Sequence, residues 1–125
     1  MKYLFTLTTT LITVLLTPVQ AGSYNVGNTD DYALYKNITY NYPGSYNTAG
    51  GYRSLYNNYS GDYNSAGGYR ALYSNTSGSG NSAGGSNALE SNTTGSGNSA
   101  SGASSLQYNT TGNNNTAHGS EALRY

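Results

Sequence analysis

The sequence repeats itself with an unvarying step. The phrase Asn-Ser-Ala-Gly-Gly-Tyr-Arg-Ala-Leu-Tyr-Ser-Asn-Thr-Ser-Gly-Ser-Gly fills Asn64 to Gly80, and drifted versions of it open at Asn47, Asn81, Asn98 and Asn115. The step is 17 residues each time, with no insertion. A unit this short cannot bury its own apolar residues. It must stack on its neighbours, and a constant step lets every copy make the same contacts with the next.

Aligning the copies turns the sequence into columns. Two are asparagine: Asn47, Asn64, Asn81, Asn98 and Asn115, then Asn58, Asn75, Asn92 and Asn109. One is alanine, from Ala49 to Ala117, and one is leucine: Leu55, Leu72, Leu89, Leu106 and Leu123. Glycines recur at Gly51, Gly68, Gly85, Gly102 and Gly119, and at Gly61, Gly78, Gly95 and Gly112. Turn chemistry at every eighth or ninth residue, with no apolar stripe of helical period, excludes a helical array. The columns predict an all-β fold, a β-solenoid of 17-residue coils stacked at the strand spacing of about 4.8 Å. Asn amides would form ladders from coil to coil, and the glycines would supply positive φ at the corners. Gly/Ser/Asn-rich chains without a period are linkers; the constant phase and the fixed leucine column argue for order.

Each coil offers two small residues and one Leu, so the core is thin. Neighbouring residues of an extended strand point to opposite faces. On that basis the small residue before each Leu fills the coil, and Leu55, Leu72, Leu89, Leu106 and Leu123 form an oligomer interface.

Residues 1–21 read as a secretory signal peptide: Lys2, an apolar run from Leu4 to Leu16, Pro18, then Val19-Gln20-Ala21 before Gly22. The run is shorter than the roughly 20 residues of a membrane span, so the mature chain should carry no transmembrane segment. Residues 22–46 form a Tyr/Asn-rich lead-in whose second part, Asp30 to Tyr46, reads as a degenerate capping coil with Gly44 in the turn-glycine column. Residues 47–125 are the β-solenoid repeats, four full copies and a partial fifth.

The repeat Asn-[Ser/Thr]-Ala-x-Gly-x-x-Ala-Leu-x-x-Asn-Thr-Thr-Gly, seen best in Asn81–Gly97 and Asn98–Asn114, resembles the head repeats of bacterial trimeric autotransporter adhesins and related surface β-roll proteins. The resemblance implies a left-handed parallel β-roll, a homotrimer or other homo-oligomer, and display at the outer surface of a bacterium. It also implies adhesion to a host or bacterial surface protein or glycan. The sequence departs from that family in lacking heptads for a stalk and the alternating strands of a barrel anchor.

No catalytic pattern competes with the repeat. The carboxylates Asp30, Asp31, Asp62, Glu90 and Glu121 fall in different columns, and His118 takes a position held elsewhere by Gly or Ser. The chain has no cysteine. It therefore has neither a disulfide framework nor a thiol-based metal site; no enzyme activity and no cofactor are expected. Lys+Arg and Asp+Glu both number 5, which gives none of the basic footprint that nucleic acid demands. The tyrosines carry more information. Most of the 15 precede Ser74, and Tyr52/Tyr69 and Tyr56/Tyr73 are column mates flanked by Arg53 and Arg70. These six form a candidate ligand surface, because Tyr gives rigid amphipathic contact area. The expected function is a secreted or surface-exposed, non-enzymatic adhesin. The alternative is a structural, self-assembling extracellular matrix or fibre protein. Ice binding is disfavoured, since no flat Thr-x-Thr ladder is present.

Overall fold

The computed structural model describes residues 25–26, 44 and 46–125. The signal-peptide reading and most of the lead-in lie outside the described residues. Six short strands form one parallel sheet in chain order: β1 (Asn25–Val26), β2 (Thr48–Ala49), β3 (Ser65–Ala66), β4 (Ser82–Ala83), β5 (Ser99–Ser101) and β6 (Thr116–His118). From β2 onward each strand is one repeat further along, with Ala49 beside Ala66, Ala66 beside Ala83, Ala83 beside Ala100 and Ala100 beside Ala117. The strands alternate as a half-buried pleat should: Ser65 is exposed and Ala66 buried, and Ser82 and Ala83 repeat the pattern.

Pairing between repeats continues beyond the strands. The amides of Leu55, Leu72, Leu89 and Leu106 donate to the carbonyls of Ala71, Ala88, Ser105 and Ala122 at 3.0–3.1 Å. Bonds in the other direction join Arg70 N to Tyr52 O, Asn87 N to Tyr69 O and Ser104 N to Ser86 O, each at 2.8 Å. Thr76 N reaches Thr93 O at 2.9 Å. Segments that are turns by local geometry thus pair with their counterparts in the next repeat. This supplies partners for backbone groups that a thin core would otherwise leave unsatisfied.

The core is a file of Leu55, Leu72, Leu89 and Leu106 with Ala66, Ala71, Ala83, Ala88, Ala100 and Ala117, and Ala49 and Ala122 pack against it. This corrects the oligomer interface expected of the leucine column. Leu55, Leu72 and Leu89 are 0–1% exposed within the single chain and Leu106 is 4% exposed, so they have no surface to offer a second subunit. Leu123 alone is open, at 58%. The physical reason is backbone handedness. Leu55, Leu72, Leu89 and Leu106 have φ of 49–52°, a left-handed conformation in which strict strand alternation does not apply. Ala71 and Leu72 are both fully buried, as are Ala88 and Leu89.

The two asparagine columns are buried ladders. In the first, the Oδ1 of Asn47, Asn64, Asn81 and Asn98 accepts from the backbone N of the asparagine one repeat on, at 2.9–3.0 Å. In the second, Asn75 Nδ2 donates to Asn58 Oδ1 at 2.7 Å, Asn92 Nδ2 to Asn75 Oδ1 at 2.9 Å and Asn109 Nδ2 to Asn92 Oδ1 at 3.1 Å. The ladders meet at the turn glycines. The carbonyl of Gly78 accepts from both Asn64 Nδ2 (2.8 Å) and Asn75 Nδ2 (2.9 Å), and Gly61, Gly95 and Gly112 are bonded in the same way.

These turn glycines differ from expectation in one respect. Gly61, Gly78, Gly95 and Gly112 do not carry positive φ. They are glycine because a Cβ on Gly78 would lie 2.3 Å from Gly95 O and 2.5 Å from Asn75 Oδ1. Close stacking of backbones excludes the side chain there. Positive φ falls instead on the leucines, on the column of Arg53, Arg70, Asn87, Ser104 and Glu121, and on the column of Tyr46, Tyr63, Gly80, Gly97 and Asn114; in the other turn-glycine column Gly102 and Gly119 carry it as expected.

At the N-terminal side, Gly44 and Tyr46 keep the repeat frame. A Cβ on Gly44 would meet Gly61 O and Asn58 Nδ2, as in the turn-glycine column, and Tyr46 stacks on Tyr63. The strand does not keep it. Asn25 lies opposite Thr48, where a step of 17 would place Asp31. The chain between β1 and β2 is therefore longer than one repeat.

Candidate functional site: an exposed tyrosine and arginine face

A step that restores the same position in the next repeat also stacks its side chains. Tyr52 and Tyr69 lie with ring centroids 5.6 Å apart and planes 14° from parallel, and Tyr56 and Tyr73 at 5.1 Å and 11°. Arg53 ties the two columns together, its guanidinium 5.2 Å from the Tyr52 ring and 5.7 Å from the Tyr56 ring. Arg70 lies 4.4 Å from the Tyr73 ring. All six residues of the candidate surface are thus joined by contacts the structure contains. Tyr52, Arg53 and Tyr69 are exposed; Tyr56, Arg70 and Tyr73 are half-buried. Aromatic stacking and cation–π contact each add about 0.5–1 kcal/mol at such exposed positions, which is enough to restrict rotamers without fixing the fold.

Arg70 differs from Arg53. Its Nη2 is 3.0 Å from Glu90 Oε1. Glu90 also accepts from Gln107 Nε2 at 2.8 Å, and Gln107 Oε1 accepts from Arg124 Nε at 3.0 Å. Glu90, Gln107 and Arg124 occupy the same column as Tyr56 and Tyr73, one per repeat. A hydrogen-bonded polar ladder therefore continues the aromatic one, and Glu90 is bonded on both sides within it. Arg124 is held above its ordinary pKa, first by its hydrogen bond with Tyr108, then by the nearby Tyr125 and Glu121. Arg70 is accordingly a scaffold member of the face, and Arg53 is its accessible cation.

Two further tyrosine pairs lie outside this face. Tyr46 and Tyr63 stack at 4.9 Å and 6°, and Tyr108 and Tyr125 at 5.4 Å and 22°. The spacing of Tyr108 and Tyr125 was the available signal, but these residues stand in a column held earlier by Asn57, Ser74 and Ser91, which masks it. His118 is exposed on β6. Among the described residues no group of three or more His, Cys, Asp or Glu side chains could hold a metal ion, and no helix is long and apolar enough to cross a membrane. No protein-family model, curated protein or solved structure matches this chain.

Proposed function

We propose that the repeats are coils of a β-solenoid in a secreted or surface-displayed protein, and that it works by adhesion rather than catalysis. In this reading Tyr52, Arg53, Tyr56, Tyr69 and Tyr73 contact a surface protein or glycan, and Arg70 holds the face in place through Glu90. The observation that carries it is the Tyr52–Arg53–Tyr56 cluster, doubled by Tyr69 and Tyr73 one repeat on. Aromatic rings already stacked on a hydrogen-bonded backbone lose little conformational freedom when a ligand arrives, which favours binding. The resemblance to adhesin head repeats points the same way. Any homo-oligomer of this chain must use the exposed columns, because the buried leucines cannot serve.

The test is a triple substitution, Tyr52→Ser, Tyr69→Ser and Arg53→Ser, scored for binding to host cells, extracellular matrix and bacterial surfaces. Circular dichroism should show a melting temperature close to that of the parent chain, and adhesion should be lost. Undiminished adhesion by the folded triple variant would count against this face as the binding surface.

A further inference from the structure

The chain contains 15 tyrosines, one methionine (Met1), and no cysteine or tryptophan. Cysteine, methionine and tryptophan are the side chains that compete with tyrosine for oxidising equivalents. None of these three is present among the described residues. The repeat also removes the usual obstacle to joining two phenols, which is bringing them together. Four tyrosine pairs among the described residues lie one repeat apart with nearly parallel rings. Of these, Tyr46 and Tyr63 are the closest and most nearly parallel, at 4.9 Å and 6°. Both are open to a reagent, at 48% and 65% exposure.

We propose that Tyr46 and Tyr63 are a built-in dityrosine site, at which a peroxide-consuming oxidant such as a peroxidase joins neighbouring repeats covalently. Each phenol gives up one electron and one proton and becomes a phenoxyl radical. The two radicals combine at the ring carbons ortho to oxygen, forming one C–C bond. The hydrogen on each of those carbons then moves to oxygen and restores both phenols. One hydrogen peroxide is reduced to two waters, and the chain loses two hydrogen atoms in all. The parallel stack places like carbons of the two rings beside one another. As exposed side chains, Tyr46 and Tyr63 can tilt the rings out of parallel as the bond forms. Tyr52 and Tyr69 are a second pair of the same kind, with Arg53 over one ring. This modification does not depend on adhesion.

The experiment uses the full chain at low concentration, horseradish peroxidase and a limiting amount of hydrogen peroxide. Trypsin cuts after Arg53 and Arg70, so Tyr46 and Tyr63 fall in different peptides, 37–53 and 54–70. The expected product is these two peptides joined with loss of two hydrogens, recovered from monomeric protein and accompanied by dityrosine fluorescence. Fragmentation should place the bond at Tyr46–Tyr63, with Tyr52–Tyr69 as the lesser product. The yield should not change on tenfold dilution, and Tyr63→Phe should abolish the Tyr46 link while leaving Tyr52–Tyr69. The linked chain should melt at a higher temperature than the unlinked one. Links confined to oligomers, links spread over tyrosines of different columns, or the same yield from urea-unfolded chain would each overturn the proposal.

Discussion

Replacing Asn75 by alanine should be among the most damaging single changes in the chain, although it removes only a small polar side chain. Asn75 is fully buried. Its Nδ2 donates to Asn58 Oδ1 at 2.7 Å and to Gly78 O at 2.9 Å, and its Oδ1 accepts from Asn92 Nδ2 at 2.9 Å. Asn75→Ala breaks all three. Gly78 O keeps Asn64 Nδ2 and Asn92 Nδ2 keeps Gly95 O, so those two groups remain bonded, but Asn58 Oδ1 is left buried without its donor. Three bonds at about 1 kcal/mol net each, with the orphaned oxygen toward the upper end of its range, give a loss of about 3–5 kcal/mol. The loss also falls on the contacts with both neighbouring repeats, and a stacked array depends on such nearest-neighbour terms. Asn109→Ala is the internal control. Asn109 is half-buried and donates to Asn92 Oδ1 and Gly112 O, both at 3.1 Å. Asn92 Oδ1 loses its donor as Asn58 Oδ1 does, but one bond fewer is broken and both are longer, so the expected loss is smaller, about 2–3 kcal/mol. Urea unfolding followed by far-ultraviolet circular dichroism measures both. Equal losses at the two sites, or a loss below about 1 kcal/mol for Asn75→Ala, would refute the ladder as a main source of stability.

The remaining predictions use the same assay. Asn75→Asp replaces the donor by an oxygen facing two acceptors, which favours the protonated carboxyl and raises its folded-state pKa; the variant should be less destabilised at pH 3 than at pH 7. Gly78→Ala should destabilise severely, since its Cβ would sit 2.3 Å from Gly95 O, whereas Gly84→Ala, with nothing closer than 3.9 Å, should be nearly neutral. Leu72→Ala should cost about 3–5 kcal/mol at a fully buried site and Leu123→Ala less than about 1 kcal/mol. Ser104→Gly should stabilise by up to about 1 kcal/mol because φ is 57° there. Ser105→Gly, one residue on, should destabilise, since it deletes a buried hydroxyl that donates to Gly102 O at 2.8 Å.

The repeat step by itself determined much of this protein. A constant 17-residue phase required parallel neighbours in register, placed Ala49 through Ala117 beside one another and aligned both asparagine columns. It also paired the tyrosines, because a side chain that recurs at one position must meet its copy at the strand spacing. What the sequence could not carry was direction. Adjacent Ala71 and Leu72 read as opposite faces of a strand, but φ near +50° turns both inward, and backbone handedness at a leucine has no signature in residue type. The same limit hid the role of one glycine column: Gly78 is required by the closeness of Gly95, a contact between residues one repeat apart. Only the tertiary arrangement separated Arg53 from Arg70, since one is exposed between the Tyr52 and Tyr56 rings and the other is tied to a carboxylate one repeat on. Periodicity fixes which residues are neighbours along the stack, but the backbone path around each repeat decides which of them face the core, the solvent or each other.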